Sequence, residues 1–92
     1  MIRNFKHKGL ALFFQKGSTA RINDNHANKL RLVLAKLNTS VAISDMDFPG
    51  ADLHSLKGDK KGYWAVSISG NWRIIFRFDN KDAYDVDYID YH

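Results

Sequence analysis

The last third of the chain changes to a period of two residues, and this change predicts a β-meander. Residues 63–69 alternate as a half-buried strand does. Residues 72–78 form a second strand, which is apolar except where Arg73 and Arg77 interrupt it, and Gly70-Asn71 between the two strands fits a two-residue hairpin turn. A cluster of turn-forming residues at 79–82 leads into a third strand at 84–90. We therefore expect three antiparallel strands, whose apolar face needs a second layer to cover it.

The region before these strands has helical spacing. Residues 9–16 form a short apolar stretch that we expect to end near Gly17. Asn23 or Asp24 can cap a second helix. The apolar residues of that helix recur three or four positions apart and predict a core-facing stripe: Ala27, Leu30, Val33, Leu34 and Leu37. Residues 41–53 are expected to be loop or a single helical turn, with a break at Pro49-Gly50.

These elements predict one α+β domain over residues 1–92. Residues 1–5 are expected to form a short N-terminal edge strand, and two to three helices to pack on a C-terminal antiparallel β-meander. If both hairpin turns have two residues, residue 73 lies opposite 68 on one side and 88 on the other. Arg73, Tyr88 and Asp90 then share one face of the sheet. A slip of one residue in either strand would separate them.

Positive charge is concentrated in the first part of the chain. Residues 1–36 carry eight basic residues and one acidic residue, a net charge of +7, whereas residues 37–92 carry six basic and nine acidic residues, a net charge of −3. A basic half suits nucleic acid or an anionic surface, and equally a solvated surface that keeps the protein soluble. The candidates for nucleic-acid contact in this half are Arg3, Lys6, Lys8, Lys29 and Lys36, of which the last two can form a ridge on the second helix.

Several classes of protein are disfavoured by what the sequence lacks. There is no cysteine, and the longest apolar run, at residues 10–14, is too short to cross a membrane. We see no signal peptide, so we expect a cytoplasmic protein without a membrane partner. No glycine-rich dinucleotide motif is present, and the four histidines do not have the spacing of a zinc site, which predicts neither cofactor nor metal.

Three separated clusters carry the residue types that acid–base chemistry on a phosphodiester needs. They are residues 54–58 with His54 and Lys57, residues 71–73 with Arg73, and the terminal Asp90, Tyr91 and His92. Each has a simpler interpretation. His54 can be a surface histidine in a connector, the lysine-rich loop 57–62 with Lys60 and Lys61 can be a charged hairpin loop, and Arg73 can form an internal ion pair with Asp90.

Taken together, these segments resemble the HigB branch of the RelE superfamily, small bacterial toxins that cleave messenger RNA on the ribosome. The resemblance extends nearly end to end through residues 1–5, 53–58, 62–64, 71–74 and 90–92. It implies a RelE/ParE-like fold, cleavage of mRNA in the A site of the 30S subunit, and a cognate helix-turn-helix antitoxin of the HigA type. The positions that match the family's active-site set are His54, Lys57, Arg73, Asp90, Tyr91 and His92. One departure is Ser69, where relatives often carry a basic residue, so phosphate contact there is expected either to be weaker or to come from Lys60 or Lys61.

The resulting hypothesis is a metal-independent endoribonuclease in which the ribose 2′-OH attacks the adjacent phosphorus. Arg73 and Lys57 would stabilise the charge on the phosphate oxygens. Asp90, His54 and His92 are candidates for the base, for the acid or for orienting those groups, and the sequence does not divide these roles among them. Tyr91 would stack on or position the nucleotide. Two alternatives stay open at this point: a ParE-like toxin that inhibits DNA gyrase without cutting RNA, and a plain nucleic-acid-binding module.

Overall fold

The computed structural model describes residues 1–91 and shows two helices packed on one face of a four-stranded antiparallel sheet. The helices are α1 (Lys8–Lys16) and α2 (Ala27–Thr39), and the strands are β1 (His54–Ser55), β2 (Trp64–Ser69), β3 (Trp72–Asp79) and β4 (Asp82–Asp90), in the spatial order β1-β2-β3-β4. Three short 3₁₀ turns lie at Asp24–His26, Ile43–Met46 and Gly58–Lys60. The predicted α+β architecture is confirmed.

Local sequence signals set the ends of both helices. The Nδ1 atom of His7 accepts a hydrogen bond from the backbone N–H of Leu10 and caps the start of α1. Gly17 ends this helix with φ of 74°, a left-handed conformation that glycine adopts without strain. The Asn23 side chain caps the 3₁₀ turn that leads into α2, so the predicted cap is present but one turn before the α-helix proper.

The main core lies between the helices and the sheet. The predicted stripe on α2 faces this core, with Leu30, Val33, Leu34 and Leu37 all buried. Opposite them lie Val66 of β2, Ile74 and Phe76 of β3, and Val86 and Tyr88 of β4. Burial of a side chain such as Leu or Phe typically contributes about 1.5–3 kcal/mol, so this layer holds the helices on the sheet.

The N-terminal segment runs parallel to the outer edge of β4. Ile2 and Phe5 form isolated bridges to Ala83 and Val86, and the amide groups of Arg3 and Lys6 donate to the carbonyls of the same two β4 residues at 2.8 Å. The predicted N-terminal edge strand is therefore present as two bridges rather than as a continuous strand. The short strand β1 was not expected, because two residues are too few to show an alternation.

Two β-bulges make the predicted register wrong. Both hairpin turns have two residues as assumed, with Ser69 opposite Trp72 and Asp79 opposite Asp82. One extra residue in β2, near residue 68, and one in β4, near residues 85–86, then shift the pairing. Arg73 consequently lies opposite Ser67 and Ile89 instead of residues 68 and 88.

The bulge in β4 has a visible cause. Asp85 has φ of 54°, and its backbone N–H donates to the Asn4 side chain, which donates back to the Asp85 carboxylate at 2.8 Å. Arg77 also donates to this carboxylate at 2.9 Å. Tertiary contacts with the N-terminal segment therefore hold the bulge, and no local pattern in β4 reveals it.

No helix among residues 1–91 is long and apolar enough to cross a membrane.

Candidate active site

The face of the sheet turned away from the helices, called here the outer face, carries the polar residues of interest. Pairing aligns His54, Ala65, Ile75 and Asp87 in one row across all four strands, and Ser67, Arg73 and Ile89 in the next. A small apolar floor lies in this face, made of buried Leu56, Ala65 and Ile75 with Tyr63 and Ile89 packed against it. The result is a small buried apolar cluster beneath the polar groups of this face.

His54 and Arg73 lie on this same face. His54 is on β1 and Arg73 on β3, two strands away, and Arg73 is displaced by two residues along the strand from Ile75, which lies in the row of His54. For ordinary strand spacing this corresponds to about 12 Å between the Cα atoms of His54 and Arg73. The first and second sequence clusters therefore meet on one surface.

His54 is held in a defined tautomer when neutral. Its Nδ1 lies 2.8 Å from the carbonyl oxygen of Asp52, and a carbonyl can only accept a hydrogen bond. Nδ1 therefore carries the proton, and Nε2 keeps its lone pair. The exposed imidazole is thus oriented by the backbone and offers Nε2 as a proton acceptor.

The Arg73 guanidinium folds back onto the preceding turn. Its Nη1 donates to the carbonyl of Gly70 at 2.6 Å and to that of Trp72 at 3.0 Å. Its Nε is buried and has no hydrogen-bond partner among residues 1–91. Because the backbone holds one edge of the guanidinium, the charge has a fixed position beside the β2–β3 turn.

The C-terminal segment that follows β4, called here the tail, contacts the β2–β3 turn through Tyr91. Beyond the end of β4, the backbone N–H of Tyr91 donates to the carbonyl of Asn71 at 2.7 Å, and the Tyr91 side chain is exposed. Asp90 lies opposite Trp72, so its register position belongs to the helix-facing side and not to the side of Arg73. The expectation that Arg73 shares a face with Tyr88 and Asp90 is therefore wrong, because each bulge adds one residue to a strand. His92 lies outside the described residues.

The lysine-rich loop closes over one end of the outer face. It joins β1 to β2, and its base is closed by a hydrogen bond from the N–H of Leu56 to the carbonyl of Tyr63. Lys57 and Lys61 are exposed. The ammonium of Lys60 lies 5.9 Å from the centroid of the Tyr63 ring.

The basic residues of the N-terminal half are spread over different surfaces. Arg3 pairs with Asp82 at 3.2 Å on the sheet edge. On α2, Lys36 lies over the Phe48 ring at 5.3 Å, and Lys29 lies near Gly50. Lys6 and Lys8, with Arg21, line an open depression of about 440 Å³ that also includes Asp87. The predicted ridge of Lys29 and Lys36 therefore runs beside the 43–50 segment, away from the outer face.

A buried aromatic cluster supports the end of β4 from the helix side. Tyr88 stacks on Trp72 with centroids 4.6 Å apart, and the Tyr88 hydroxyl lies 2.5 Å from Nδ1 of buried His26. Burial raises the pKa of Tyr88, partly offset by a hydrogen bond from the backbone of Asn23. Trp72 is the β3 partner of Asp90, so this cluster holds the strand from which the tail leaves.

Two residues of the outer face were not foreseen from the sequence. Asp87 lies opposite Ile75, but the bulge in β4 shifts the register, so the sequence alone does not reveal this pairing. Tyr63 lies two residues before Ala65, and this spacing was the available signal that both side chains are on the same face. Among residues 1–91, no three His, Cys, Asp or Glu side chains are grouped closely enough to hold a metal ion.

Comparison with known proteins accounts for this arrangement. Residues 3–92 match the family described as the RelE-like toxin of type II toxin-antitoxin system HigB. The chain belongs to the HigB-like toxin family. Endoribonuclease HigB of Proteus vulgaris is 42% identical over 92 residues, which cover the full length of both proteins. The resemblance to HigB toxins and the RelE-like fold are confirmed, and as a type II toxin the HigB-like chain has an antitoxin as its partner.

The geometry of this HigB-like toxin suits charge stabilisation and proton transfer on an RNA strand. The outer face offers an oriented imidazole, a fixed guanidinium and exposed lysines.

Proposed function

We propose that this toxin cleaves messenger RNA in the decoding A site of the ribosome and so inhibits translation and growth. Its endoribonuclease activity rests on membership of the HigB-like family and on full-length similarity to an endoribonuclease. The ribosome as the site of action, the cytoplasm as the compartment and a helix-turn-helix antitoxin of the HigA type are parts of the proposal. The observation that carries it is the presence of His54 and Arg73 on one exposed face, beside the turn that binds the tail.

The proposed reaction is an in-line transesterification that needs neither metal nor cofactor. The ribose 2′-oxygen forms a bond to the adjacent phosphorus, and the bond from phosphorus to the 5′-oxygen breaks. A base takes the proton of the 2′-OH, and an acid gives a proton to the departing 5′-oxygen. The products are a 2′,3′-cyclic phosphate and a 5′-hydroxyl end.

Each site residue has a role in this scheme. Arg73 and Lys57 stabilise the charge that develops on the non-bridging oxygens. His54, with its free Nε2, and His92 are assigned the acid and base functions together with Asp90, which would act from the end of β4 because its register position lies on the helix-facing side. Tyr91 positions the nucleotide. The ribosome supplies alignment of the 2′-oxygen with the phosphorus, which can provide a large part of the rate.

Contacts to RNA away from the reacting atoms are assigned to basic residues. Lys60 and Lys61 face the substrate from the loop at the end of the outer face. Lys8, which lines the basic depression together with Lys6, and Lys29 and Lys36, on α2, are proposed to contact ribosomal RNA. Arg3 is the weakest of these candidates, because its guanidinium already pairs with Asp82.

The test is primer extension on a translated mRNA with purified ribosomes. We expect His54→Gln and Asp90→Asn each to reduce the cleavage rate about 10²- to 10⁴-fold, the usual effect of an acid–base group. Asp47→Asn is the matched control, because Asp47 is exposed and lies in the segment after α2, away from the outer face. Full activity of both site variants would defeat the residue assignment. Equal cutting of naked mRNA would defeat ribosome dependence, and blocked DNA supercoiling with intact mRNA would favour gyrase as the target.

A further inference from the structure

Two lysine ammonium groups from distant parts of the chain converge on the Tyr63 ring. The Nζ of Lys6 lies 5.6 Å from the ring centroid, and the Nζ of Lys60 lies 5.9 Å from it. Lys6 comes from the N-terminal segment beside β4, whereas Lys60 comes from the loop between β1 and β2. Two positive charges, one from the N-terminal segment and one from the β1–β2 loop, therefore lie near the same ring.

The Tyr63 ring has a fixed place on the outer face. Its backbone N–H donates to the carbonyl of Lys60 at 3.0 Å, and its carbonyl accepts from Leu56 at 2.9 Å. The side chain packs against the apolar floor formed by Leu56, Ala65 and Ile75. Tyr63 is also a diagonal neighbour of His54 across the β1–β2 pair, which places their Cα atoms about 7–8 Å apart.

Neither ammonium group forms an ion pair with a carboxylate among residues 1–91. Ion pairs among residues 1–91 are formed by the N-terminal amine and Arg3 with Asp82, and by Arg77 with Asp85. The charge of Lys6 is felt by Asp85, whose carboxylate is already hydrogen-bonded to Asn4 and Arg77. Two like charges gathered at one ring repel each other, so an anion that binds between them or beside them is favoured.

We propose that Lys6, Tyr63 and Lys60 form a clamp for the RNA phosphate backbone next to the bond that is cut. Tyr63 is the positioning residue that holds both ammonium groups over the outer face, and the lysines contact the phosphates. This places Lys6 on the substrate side of the protein instead of among the contacts to ribosomal RNA. The inference rests on the proposed function, since it assigns a subsite to the same strand of mRNA.

The experiment measures how fast the full chain cleaves ribosome-bound mRNA at increasing concentrations of that substrate. It yields two separate quantities, the substrate concentration at half-saturation and the maximal rate. We expect Lys6→Gln and Lys60→Gln to raise the half-saturating concentration severalfold with little change in the maximal rate. Each change should also lower the dependence of log affinity on log salt concentration by about 0.7, the value for one phosphate contact on a single strand. Lys16→Gln is the matched control, because Lys16 is exposed at the far end of α1.

Tyr63 is tested by two substitutions. Tyr63→Phe keeps the ring and should behave as wild type, whereas Tyr63→Leu should raise the half-saturating concentration as Lys6→Gln and Lys60→Gln each do. A circular-dichroism spectrum and a urea midpoint like those of wild type establish that Tyr63→Leu is folded. If it is not folded, the lysine variants and Tyr63→Phe decide the question.

The outcomes separate this inference from the proposed function. If wild type cuts on the ribosome and both lysine variants match Lys16→Gln, the clamp is refuted while the proposed function stands. If wild type cuts nothing, the proposed function fails, and binding of labelled single-stranded RNA then tests the clamp by the same salt slopes. A loss in maximal rate alone, at unchanged half-saturation, would also refute it.

Discussion

Removing the Tyr88 hydroxyl should destabilise the fold by a measurable amount. Tyr88 is 4% exposed, and its hydroxyl lies 2.5 Å from Nδ1 of His26, which is 6% exposed. The substitution Tyr88→Phe keeps the ring and its stack on Trp72 but leaves the buried imidazole nitrogen without a partner. Leaving a buried polar group unsatisfied costs about 1–3 kcal/mol.

That cost converts into a clear shift in thermal unfolding. For a domain of this size, each 1 kcal/mol lowers Tm by about 4–8 °C. We therefore expect Tyr88→Phe to unfold at a lower temperature and at a lower urea concentration at pH 8, without a change in the urea m-value.

Tyr84→Phe is the matched control for this substitution. Tyr84 lies in the same strand, and its hydroxyl forms no hydrogen bond with the described part of the chain, so its removal should change stability by no more than about 0.5 kcal/mol. If Tyr88→Phe is as stable as Tyr84→Phe, the reasoning about the buried His26–Tyr88 contact is refuted.

The same contact predicts a dependence on alkaline pH. Burial raises the pKa of Tyr88 above its unfolded value of 10.0, so the folded state holds this proton more tightly than the unfolded chain does. The resulting stability is present below pH 10 and is lost as the pH rises through the folded pKa. Urea titrations above pH 10 should therefore show a steeper decline in wild type than in Tyr88→Phe.

Two further predictions concern other parts of the fold. Gly9→Ala should destabilise the protein by about 1–3 kcal/mol in urea unfolding, although alanine favours helices, because the new Cβ would lie 2.4 Å from Cβ of Arg21; a stabilised variant would disprove this crowding. The side chains of Asn4 and then Arg77 lower the pKa of Asp85 below 3.8, so its contribution is present above that pH and lost as pH falls. Asp85→Asn, which tolerates the same left-handed backbone, should therefore lose stability less steeply than wild type between about pH 5 and 3, and identical acid profiles would count against it.

Much of the architecture could be predicted from local patterns. The helix that ends at Gly17, the buried stripe of α2 and the three long strands each follow from spacing within one segment, which depends on the period of 3.6 or 2 residues. The turn at Gly70-Asn71 also has the two residues expected. These features are determined by the sequence alone, because the physical preference and the residues that express it lie next to each other in the chain.

The composition of the candidate site was decided by tertiary contacts. Which residues share a face with Arg73 depends on two bulges, and the bulge at Asp85 is held by Asn4, 81 positions away in the chain. One extra residue in a strand moves every following side chain to the opposite face, so local alternation alone cannot assign Arg73 and Asp90 to sides of the sheet. The sequence alone identified the types of residue that are available for acid–base chemistry and phosphate binding. Their grouping on the outer face, with Tyr63 between two lysines, follows only from how distant segments pair.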